Sequence, residues 1–486
     1  MTTEMDVERI EPVELLIGGE WRPAGDGTRI EVEDPATERV LATAADAGPD
    51  DAIAALDAAV EAAEAWATTA PRERGEVLRR SFDLVVARRE SLARLLTLEM
   101  GRPLAESRAE VDYAAEFLRW YAEEAVRING RYGPAPAGNA RILTTPRPVG
   151  PCLLIAPWNF PLAMATRKLG PALAAGCTTV LKPARETPLA SRALARLMEE
   201  AGLPAGVLNV VTTSRPREVV AALLADPRLR KVSFTGSTEV GKELVRAAAD
   251  NLLRTSMELG GNAPLIVFAD ADLDLAVREA TLAKMRNTGQ SCVAANRMLV
   301  AAPIAEEFAV RLAAAIREMP IGHGLDPGVE VGPLIDDTAR ERLGGLVDEA
   351  CEAGATMLLG AARDLPDRGH FFAPTVLADV PADARVLHEE SFGPVAPVVT
   401  FEDEEEALAL ANATPYGLAS YLFTANMSRA LRMVERIEAG MVGINRGMVS
   451  DASAPFGGIK QSGLGREGGP EGLAEYLSLR YASIAA

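Results

Sequence analysis

Short apolar runs recur along the chain after Pro148: GPCLLIAPW (150–158), TTVLKP (178–183), GVLNVVT (206–212) and KVSFTG (231–236). Helical stretches separate them, such as SRALARLMEEAG (191–202) and EVGKELVRAAADNLL (239–253). A second series of apolar runs follows: APLIVF (263–268), RMLVAA (297–302), TMLLGA (356–361) and MVGIN (441–445). Strand-like runs that alternate with helices are typical of parallel sheets covered by helices. We therefore predict an α/β chain with two α/β domains.

The segments around this region have different patterns. Apolar residues recur at helical spacing from Asp50 to about Arg127, which predicts a helical region. Residues 127–147, RINGRYGPAPAGNARILTTPR, place Gly, Pro and Asn turns between short strand-like pieces. This pattern predicts a projecting hairpin suited to subunit contact. The C-terminal LAEYLSLRYASI (473–484) is also strand-like, and such a strand can add to a neighbour's sheet.

Composition argues against several classes of protein. The 486 residues carry a formal net charge of −19 and no Lys/Arg run, so nucleic acid is not an expected partner. The four cysteines and three histidines lack paired spacing, which argues against a disulfide framework and against a metal site. The N-terminal segment (1–21) is acidic and lacks a signal or transit pattern, and no run reaches about 18 apolar residues. We expect a cytoplasmic protein without membrane contact.

Two segments carry residues suited to covalent catalysis. Cys292 lies in KMRNTGQSCVAANR (284–297), a polar, glycine-containing segment, whereas structural cysteines usually lie in apolar surroundings. This favours an exposed, reactive thiol, and an inert thiol is the alternative. Glu258 lies in SMELGGNAP (256–264), before paired glycines that let the backbone approach a ligand closely. It is a candidate general base, and a solvated carboxylate before a turn is the alternative.

Two further segments suit ligand binding. KVSFTGSTEVGK (231–242) reads as a strand, a tight turn and a helix N-terminus near Ser237 or Thr238. Gly236 in this turn is compatible with a dinucleotide pyrophosphate at the helix end, but an ordinary turn fits equally well. In PWNFP (157–161), Asn159 stands among bulky apolar residues, where its amide needs an acceptor. That acceptor is either a substrate oxyanion or a backbone carbonyl.

Six motifs together resemble the aldehyde dehydrogenase family, and they follow family order along nearly the whole chain: PWNFPL (157–162), SFTGSTEVG (233–241), MELGG (257–261), GQSC (289–292), EESFGPV (389–395) and PFGGIKQSGLGRE (455–467). The resemblance implies the fold of that family. Its parts are a Rossmann-like cofactor-binding domain (1–126 and 148–257), an α/β catalytic domain (258–457) and a small β oligomerisation element (127–147 and 470–486). A homodimer or homotetramer is also implied.

The same resemblance implies a mechanism. Cys292 attacks the aldehyde to give a thiohemiacetal, whose hydride passes to a nicotinamide and leaves a thioester. The Asn159 amide and the backbone N–H of Cys292 hold the oxyanion. Glu258 then activates water, and its presence resembles the hydrolytic branch that releases a carboxylic acid.

For the cofactor, the resemblance implies NADP, with NAD as the alternative. Residues matched to cofactor binding are Pro157, Trp158, Lys182, Gly236, Ser237, Glu390 and Phe392. NAD-preferring relatives usually carry Glu three residues after the lysine, whereas this chain has Arg185. A guanidinium there would attract a 2′-phosphate, while a carboxylate would repel it. The adjacent Glu186 leaves a ribose contact open.

For the substrate, Arg167, Arg286 and Ser450 match positions at which succinate-semialdehyde dehydrogenases bind the distal carboxylate. The resemblance therefore implies oxidation of succinate semialdehyde to succinate. Arg167 would contribute less if it paired with a structural acid, and this pairing stays open. Glutarate semialdehyde and an uncharged aliphatic aldehyde stay open as alternative substrates. A non-catalytic member of the family stays open as an alternative of a different class. Some relatives carry a second cysteine two residues after the nucleophile, but Ala294 stands here, so no redox switch is expected there.

Overall fold

The computed structural model describes residues 10–360 and 365–485. Residues 1–9 lie outside this description. They belong to the predicted cofactor-binding segment and to the acidic N-terminal segment. Residue 486 at the end of the predicted oligomerisation segment also lies outside it.

The described residues form helices and strands in alternation. The strands are β1 (Leu15–Ile17), β2 (Glu20–Arg22), β3 (Arg29–Asp34), β4 (Arg39–Ala45), β5 (Arg131–Pro134), β6 (Ala140–Pro148), β7 (Cys152–Ile155), β8 (Thr179–Lys182), β9 (Leu208–Val210), β10 (Lys231–Thr235), β11 (Arg254–Glu258), β12 (Ala263–Val267), β13 (Ala295–Ala301), β14 (Thr356–Leu359), β15 (Thr375–Ala378), β16 (Val395–Phe401), β17 (Ala419–Phe423), β18 (Met441–Ile444), β19 (Gly463–Leu464) and β20 (Leu477–Ala485). The helices are α1 (Pro49–Thr68), α2 (Pro71–Ala87), α3 (Arg89–Met100), α4 (Leu104–Glu124), α5 (Pro161–Ala175), α6 (Pro188–Glu200), α7 (Pro216–Ala225), α8 (Thr238–Ala248), α9 (Leu273–Met285), α10 (Ala305–Arg317), α11 (Asp337–Glu352), α12 (Glu404–Asn412), α13 (Met427–Arg436) and α14 (Gly469–Ala474).

The first large sheet has the strand order β19-β11-β10-β7-β8-β9-β1-β2. Its central strands pair in parallel, and antiparallel strands add only at the edges. Strands β7 and β8 are buried along their whole length, as expected for a sheet covered on both faces. The chain passes from β7 to β8 and β9 on one side and returns to β10 on the other. Ligands bind at such a reversal of strand order, beyond the carboxyl ends of the strands.

The second large sheet has the order β14-β15-β16-β13-β12-β17-β18. Its strands pair in parallel except for β14 with β15. Both apolar series found in the sequence therefore form α/β layers, and the predicted α/β fold is confirmed. The bounds proposed for the domains remain a prediction.

A three-stranded sheet, β20-β6-β5, joins the predicted hairpin to the C-terminal strand. Strand β20 pairs with β6 over its full length and leaves Leu479 and Tyr481 exposed. Its use in subunit contact remains a prediction. Among the helices in residues 10–360 and 365–485, we find none that is both long and apolar enough to cross a bilayer.

An ion pair between His323 and Asp34 ties the β3–β4 hairpin to the segment after α10. His323 Nε2 lies 3.2 Å from Asp34 Oδ2, and the aspartate side chain is almost fully buried. The hydrogen bond to Asp34 raises the pKa of His323 above its usual value, against partial burial. A raised folded-state pKa means that this pair stabilises the fold fully below about pH 6.5 and less as pH rises through the folded pKa.

We predict that His323→Gln lowers the free energy of unfolding by up to about 1 kcal/mol at pH 5.5 and by less at pH 8.5. Urea unfolding at the two pH values measures this difference. His388→Gln is the control, because His388 is exposed and its ring forms a hydrogen bond with a backbone carbonyl, that of Ala382, rather than with a carboxylate. Equal losses at both pH values would contradict a role for the charged pair.

Candidate active site

A cavity of about 650 Å³ lies between loops of the two large sheets. Loops after β7, β10 and β11 form one side, and the segments before β13 and β16 form the other. The predicted site residues that line it are Pro157, Trp158, Asn159, Arg167, Gly236, Ser237, Arg286, Cys292, Glu390, Phe392 and Ser450. Among the described residues predicted for the site, Glu258, Lys182 and Arg185 are not part of this wall.

The loop that carries Cys292 has a strained backbone. Asn287 and Thr288 adopt left-handed angles, with φ of 56° and 53°, which cost non-glycine residues free energy. Contacts from distant segments hold them: Glu106 Oε2 accepts the Asn287 N–H at 2.7 Å, and Thr288 Oγ1 accepts the Gly332 N–H at 3.2 Å. Sequence reasoning missed Glu106, because a carboxylate on a helix gives no sign of a partner 181 residues away.

Asn159 is buried and its amide points at this loop. Asn159 Nδ2 donates one hydrogen bond to the Gln290 carbonyl at 3.1 Å, which is the backbone acceptor that the sequence left open. The amide has a second N–H, and Asn159 also lines the cavity. Within the described residues, the backbone N–H of Cys292 has no protein acceptor. Two donors are therefore available for a ligand oxygen beside the thiol.

The Cys292 thiol is partly buried and lines the cavity, so it is less exposed than the polar segment around it suggests. Burial raises the pKa of Cys292 to about 12, and nearby Arg167 opposes this rise. A charged thiolate is costly where little water reaches it. The resting thiol is consequently protonated at neutral pH.

Glu258 ends β11 and is buried rather than solvated. Its Oε2 has no hydrogen-bond partner among the described residues. Burial and the nearby Glu467 carboxylate raise its pKa well above the usual value, while Arg167 and Lys168 oppose the rise. A carboxylate with a raised pKa is a stronger base at neutral pH.

Glu467 is the centre of a buried charge cluster that sequence reasoning missed. Lys168 Nζ lies 2.5 Å from its Oε1, and Arg167 Nε lies 2.8 Å from its Oε2. Lys168 also donates to Ser233 Oγ at 3.0 Å. The final motif GLGRE contains Glu467, but its partners stand about 300 residues earlier and only the fold brings them together.

The two cavity arginines differ in their partners. Arg167 pairs with Glu467, which is the pairing with a structural acid that the sequence left open, and its guanidinium carbon lies 4.0 Å from the centre of the Phe456 ring. Arg286 lies over the Phe160 ring and contacts Met448 Sδ at 3.5 Å. Within the described residues it has no carboxylate within ion-pair distance. Arg286 is therefore a cation still able to bind an anion.

Tyr113 on α4 is a further polar residue in the same part of the cavity. Its hydroxyl is buried without a hydrogen-bond partner among the described residues. The ring is fixed edge-on against Phe117, with centroids 4.8 Å apart. Nothing in the sequence distinguishes this tyrosine from a core residue of an amphipathic helix.

The opposite end of the cavity contains the N-terminus of α8. Ser237 caps this helix and accepts the Val240 N–H. Glu390 Oε1 accepts the Gly261 N–H at 3.1 Å, and burial raises the pKa of Glu390 to about 7. Phe392 packs edge-on against Trp158, with ring centroids 5.5 Å apart.

Lys182 ends β8 and Arg185 follows that strand, and neither residue is part of the cavity wall. Lys182 is buried and donates to the Pro183 carbonyl at 3.0 Å, and burial lowers its pKa to about 8. Arg185 is mostly exposed and pairs with the adjacent Glu186 at 2.9 Å. The two residues extend the cleft along the same edge of the first sheet.

Comparisons with known proteins agree on one family. The profile described as "Aldehyde dehydrogenase family" matches residues 21–482. The chain is 59% identical to a succinate-semialdehyde dehydrogenase of Paenarthrobacter nicotinovorans, over 92% of this chain and 99% of that protein. It is 48% identical to the NADP(+) succinate-semialdehyde dehydrogenase GabD of Escherichia coli K12 and to a glutarate-semialdehyde dehydrogenase of Pseudomonas putida, each over 97% of both chains.

A solved structure shares the fold of this chain. The crystal structure of an NADP-dependent enzyme of E. coli is 48% identical and superimposes with a TM-score of 0.96. The match covers 97% of this chain and 98% of that one.

We predict that iodoacetamide labels Cys292 at a rate that rises about tenfold per pH unit between pH 7 and pH 10, because the thiolate is the reacting form. Peptide mass spectrometry and the Cys292→Ala variant identify the site. Cys152 and Cys177 are buried and should stay unlabelled. A rate that is already constant above pH 8 would mean that the resting thiol is ionised.

Proposed function

Because this chain belongs to the aldehyde dehydrogenase family, we propose that it oxidises succinate semialdehyde to succinate with NADP or NAD, through a thioester on Cys292. One observation carries the choice of substrate. Arg286, a cation without a carboxylate partner among the described residues, lines the same cavity as the Cys292 thiol. An unpaired cation in a partly buried cavity favours a substrate with an anionic end.

Cys292 is the nucleophile in this proposal. Its sulfur adds to the aldehyde carbon, and the carbonyl oxygen becomes an oxyanion. The free N–H of Asn159 and the backbone N–H of Cys292 stabilise that charge where it develops. The thiol proton needs an acceptor, and the raised pKa of Glu258 makes its carboxylate a suitable one.

Glu258 also serves the second half of the reaction. Its unpartnered Oε2 can accept a proton from the water that attacks the thioester carbon. Hydrolysis then releases the acid and restores the thiol. Arg167 and Lys168 hold Glu467 beside Glu258, so this cluster sets the basicity of the carboxylate.

The residues at the α8 end fit a nicotinamide dinucleotide. A bound nicotinamide supplies the acceptor for the hydride of the substrate carbon. The N-terminus of α8 presents backbone N–H groups suited to a pyrophosphate. A Cβ on Gly260 would lie 2.7 Å from Glu390 Oε2, so glycine leaves that carboxylate its place in the cavity wall. Glu390 can then accept hydrogen bonds from the ribose hydroxyls, with Phe392 and Trp158 beside the nicotinamide ring.

Arg185 supports NADP over NAD. Its guanidinium is exposed and held only by the neighbouring Glu186, so a 2′-phosphate can compete for it. The relative of E. coli that carries NADP(+) in its name agrees with this choice. NAD remains the alternative, since the adjacent Glu186 offers a carboxylate that can accept hydrogen bonds from ribose hydroxyls.

Arg286, Ser450 and Tyr113 form the proposed site for the distal carboxylate. All three line the cavity, and the Tyr113 hydroxyl has no other partner in the described residues. Arg167 is less available to a substrate anion, because it already forms an ion pair with Glu467. Glutarate semialdehyde is the second candidate, because the relative named for it is as similar as the E. coli one.

We further propose that the protein is a homodimer or homotetramer. The exposed Leu479 and Tyr481 of β20 support this, since apolar side chains on a paired strand suit a subunit interface.

Initial rates with succinate semialdehyde, glutarate semialdehyde and butanal, each with NAD and NADP, test the proposal. We expect an acid semialdehyde with NADP to exceed butanal by roughly 10²-fold in kcat/KM. Butanal rates equal to those of the semialdehydes would contradict the proposed carboxylate-binding site. Absence of cofactor reduction with every aldehyde would favour a non-catalytic relative.

Arg286→Met should lower kcat/KM for succinate semialdehyde by roughly 10–100-fold, because a charged hydrogen bond is lost. The rate with butanal should stay within about twofold, as this substrate has no carboxylate. Arg119→Met is the control, since Arg119 also lies over a ring, that of Phe82, but outside the cavity. An equal loss with both substrates would contradict the assignment.

Asn159→Ala should lower kcat by roughly 10²–10³-fold, as expected for removal of one oxyanion donor. Steady-state kinetics at saturating substrate measure the change. Asn209→Ala provides the comparison, because Asn209 is also buried and its amide bonds backbone groups away from the cavity, the Thr179 and Gly206 carbonyls and the Gly18 N–H. A kcat for Asn159→Ala similar to that of Asn209→Ala would mean that the amide has only a structural role.

A further inference from the structure

Lys284 is a fully buried lysine behind the cavity wall, and the proposed mechanism does not use it. It stands on α9, and its Nζ donates to Asn296 Oδ1 at 2.9 Å and to Ser391 Oγ at 3.0 Å. Ser391 Oγ also donates to Asn296 Oδ1 at 2.9 Å. These three side chains form a closed polar cluster, which we call the Lys284 triad. Burying an ammonium group is costly, so its position calls for a function.

The triad holds one side of the segment Glu390–Phe392. On the other side, Arg342 donates to the carbonyl of Glu390 at 3.0 Å and to that of Ser391 at 2.6 Å. Ser391 is thus held through its hydroxyl by Lys284 and Asn296 and through its carbonyl by Arg342.

This segment needs such support because its backbone is strained. Phe392 has a φ of 47°, in the left-handed region that costs a non-glycine residue free energy. The strained turn sets the direction of two side chains: Phe392 packs on Trp158, and Glu390 meets the Gly261 N–H. Without the triad, the segment can relax and both side chains lose their place in the cavity wall.

Lys284 also acts on Glu390 through its charge. Lys284 and Arg342 lower the pKa of Glu390, while burial and Glu239 raise it. In return, burial lowers the pKa of Lys284 to about 7, and the charge of Glu390 opposes this fall. The charge of Glu390 also raises the pKa of two other groups, Tyr416 and Cys292.

We propose that Lys284 is a positioning residue for the nicotinamide-ribose end of the cofactor: the triad fixes Ser391 so that Glu390 and Phe392 are preset for binding. This inference rests on the proposed contact between Glu390 and the ribose. The carboxylate form of Glu390 accepts hydrogen bonds from the ribose hydroxyls, and the positive charge of the Lys284 ammonium stabilises that form.

The test is the Kd of NADP, measured by isothermal titration calorimetry without aldehyde, for the wild-type protein and for Lys284→Met. We expect the variant to bind NADP roughly tenfold more weakly, as for loss of a buried hydrogen-bonded group. KM for the aldehyde should stay within about twofold, because the triad touches only the cofactor end. Ser391→Ala, a smaller change, should weaken NADP binding in the same direction and keeps the test valid if Lys284→Met does not fold.

Lys231→Met is the matched control. Lys231 is also fully buried and donates to a serine hydroxyl, Ser256 Oγ, but it lies on β10 outside the cavity wall. It should lower thermal stability while leaving the Kd of NADP unchanged. A rise in Kd of the same size in Lys231→Met would overturn the inference, because it would then reflect general destabilisation.

The pH dependence separates positioning by charge from packing alone. NADP binding should weaken as pH falls through the pKa of Glu390, because a protonated carboxyl accepts poorly. Loss of the Lys284 cation raises that pKa, so in Lys284→Met the weakening should begin at a higher pH than in the wild type. A Kd that rises equally at every pH between 6 and 9 would overturn the electrostatic part of the inference.

Glu390→Gln distinguishes the inference on the triad from the proposed ribose contact. If it weakens NADP binding and neither Lys284→Met nor Ser391→Ala does, the inference on the triad is wrong and the proposed function stands. If Glu390→Gln leaves the Kd unchanged, the ribose contact itself is wrong and the inference fails with it.

Discussion

The ion cluster of Glu467 with Arg167 and Lys168 is the interaction on which the chemistry of this site depends. All three side chains are buried, and each alone would be strongly unfavourable away from water. Breaking such a pair costs about 3–5 kcal/mol, so the cluster fixes how the end of the chain packs against α5. The charges of all three residues also act on Glu258, and the cluster therefore controls the environment of the proposed general base.

Burial has the same effect on every ionisable group that faces the reaction. It raises the pKa of Cys292 and that of Glu258 above their usual values. Arg167 opposes the rise in each case. The nearby cations offset part of the cost of burying charge, and a substrate oxyanion can share its charge with the two N–H donors when that charge develops.

The cavity is divided between two tasks. One end collects unpaired polar groups, Arg286 and the hydroxyl of Tyr113, which suit the anionic end of a semialdehyde. The other end is built from strained but well-held backbone, with Phe392 in the left-handed region. The nucleophile loop, between the two ends, is strained as well. Rigid support from α4, α9 and α11 lets these strained segments keep one conformation.

The sequence by itself determined the α/β layers, the β5–β6 hairpin and the family, because these depend on local periodicity and on short motifs such as GQSC. The family motifs also indicated Cys292, Glu258 and Asn159, although the local surroundings of these residues alone left a structural alternative open at each position. Only the tertiary structure decided that the Cys292 thiol is partly buried, that Arg167 forms an ion pair with Glu467, and that Arg286 has no carboxylate within ion-pair distance in the described residues. The physical reason is that burial and charge pairing depend on which distant segments meet, as with Lys168 and Glu467, and no local pattern encodes those meetings.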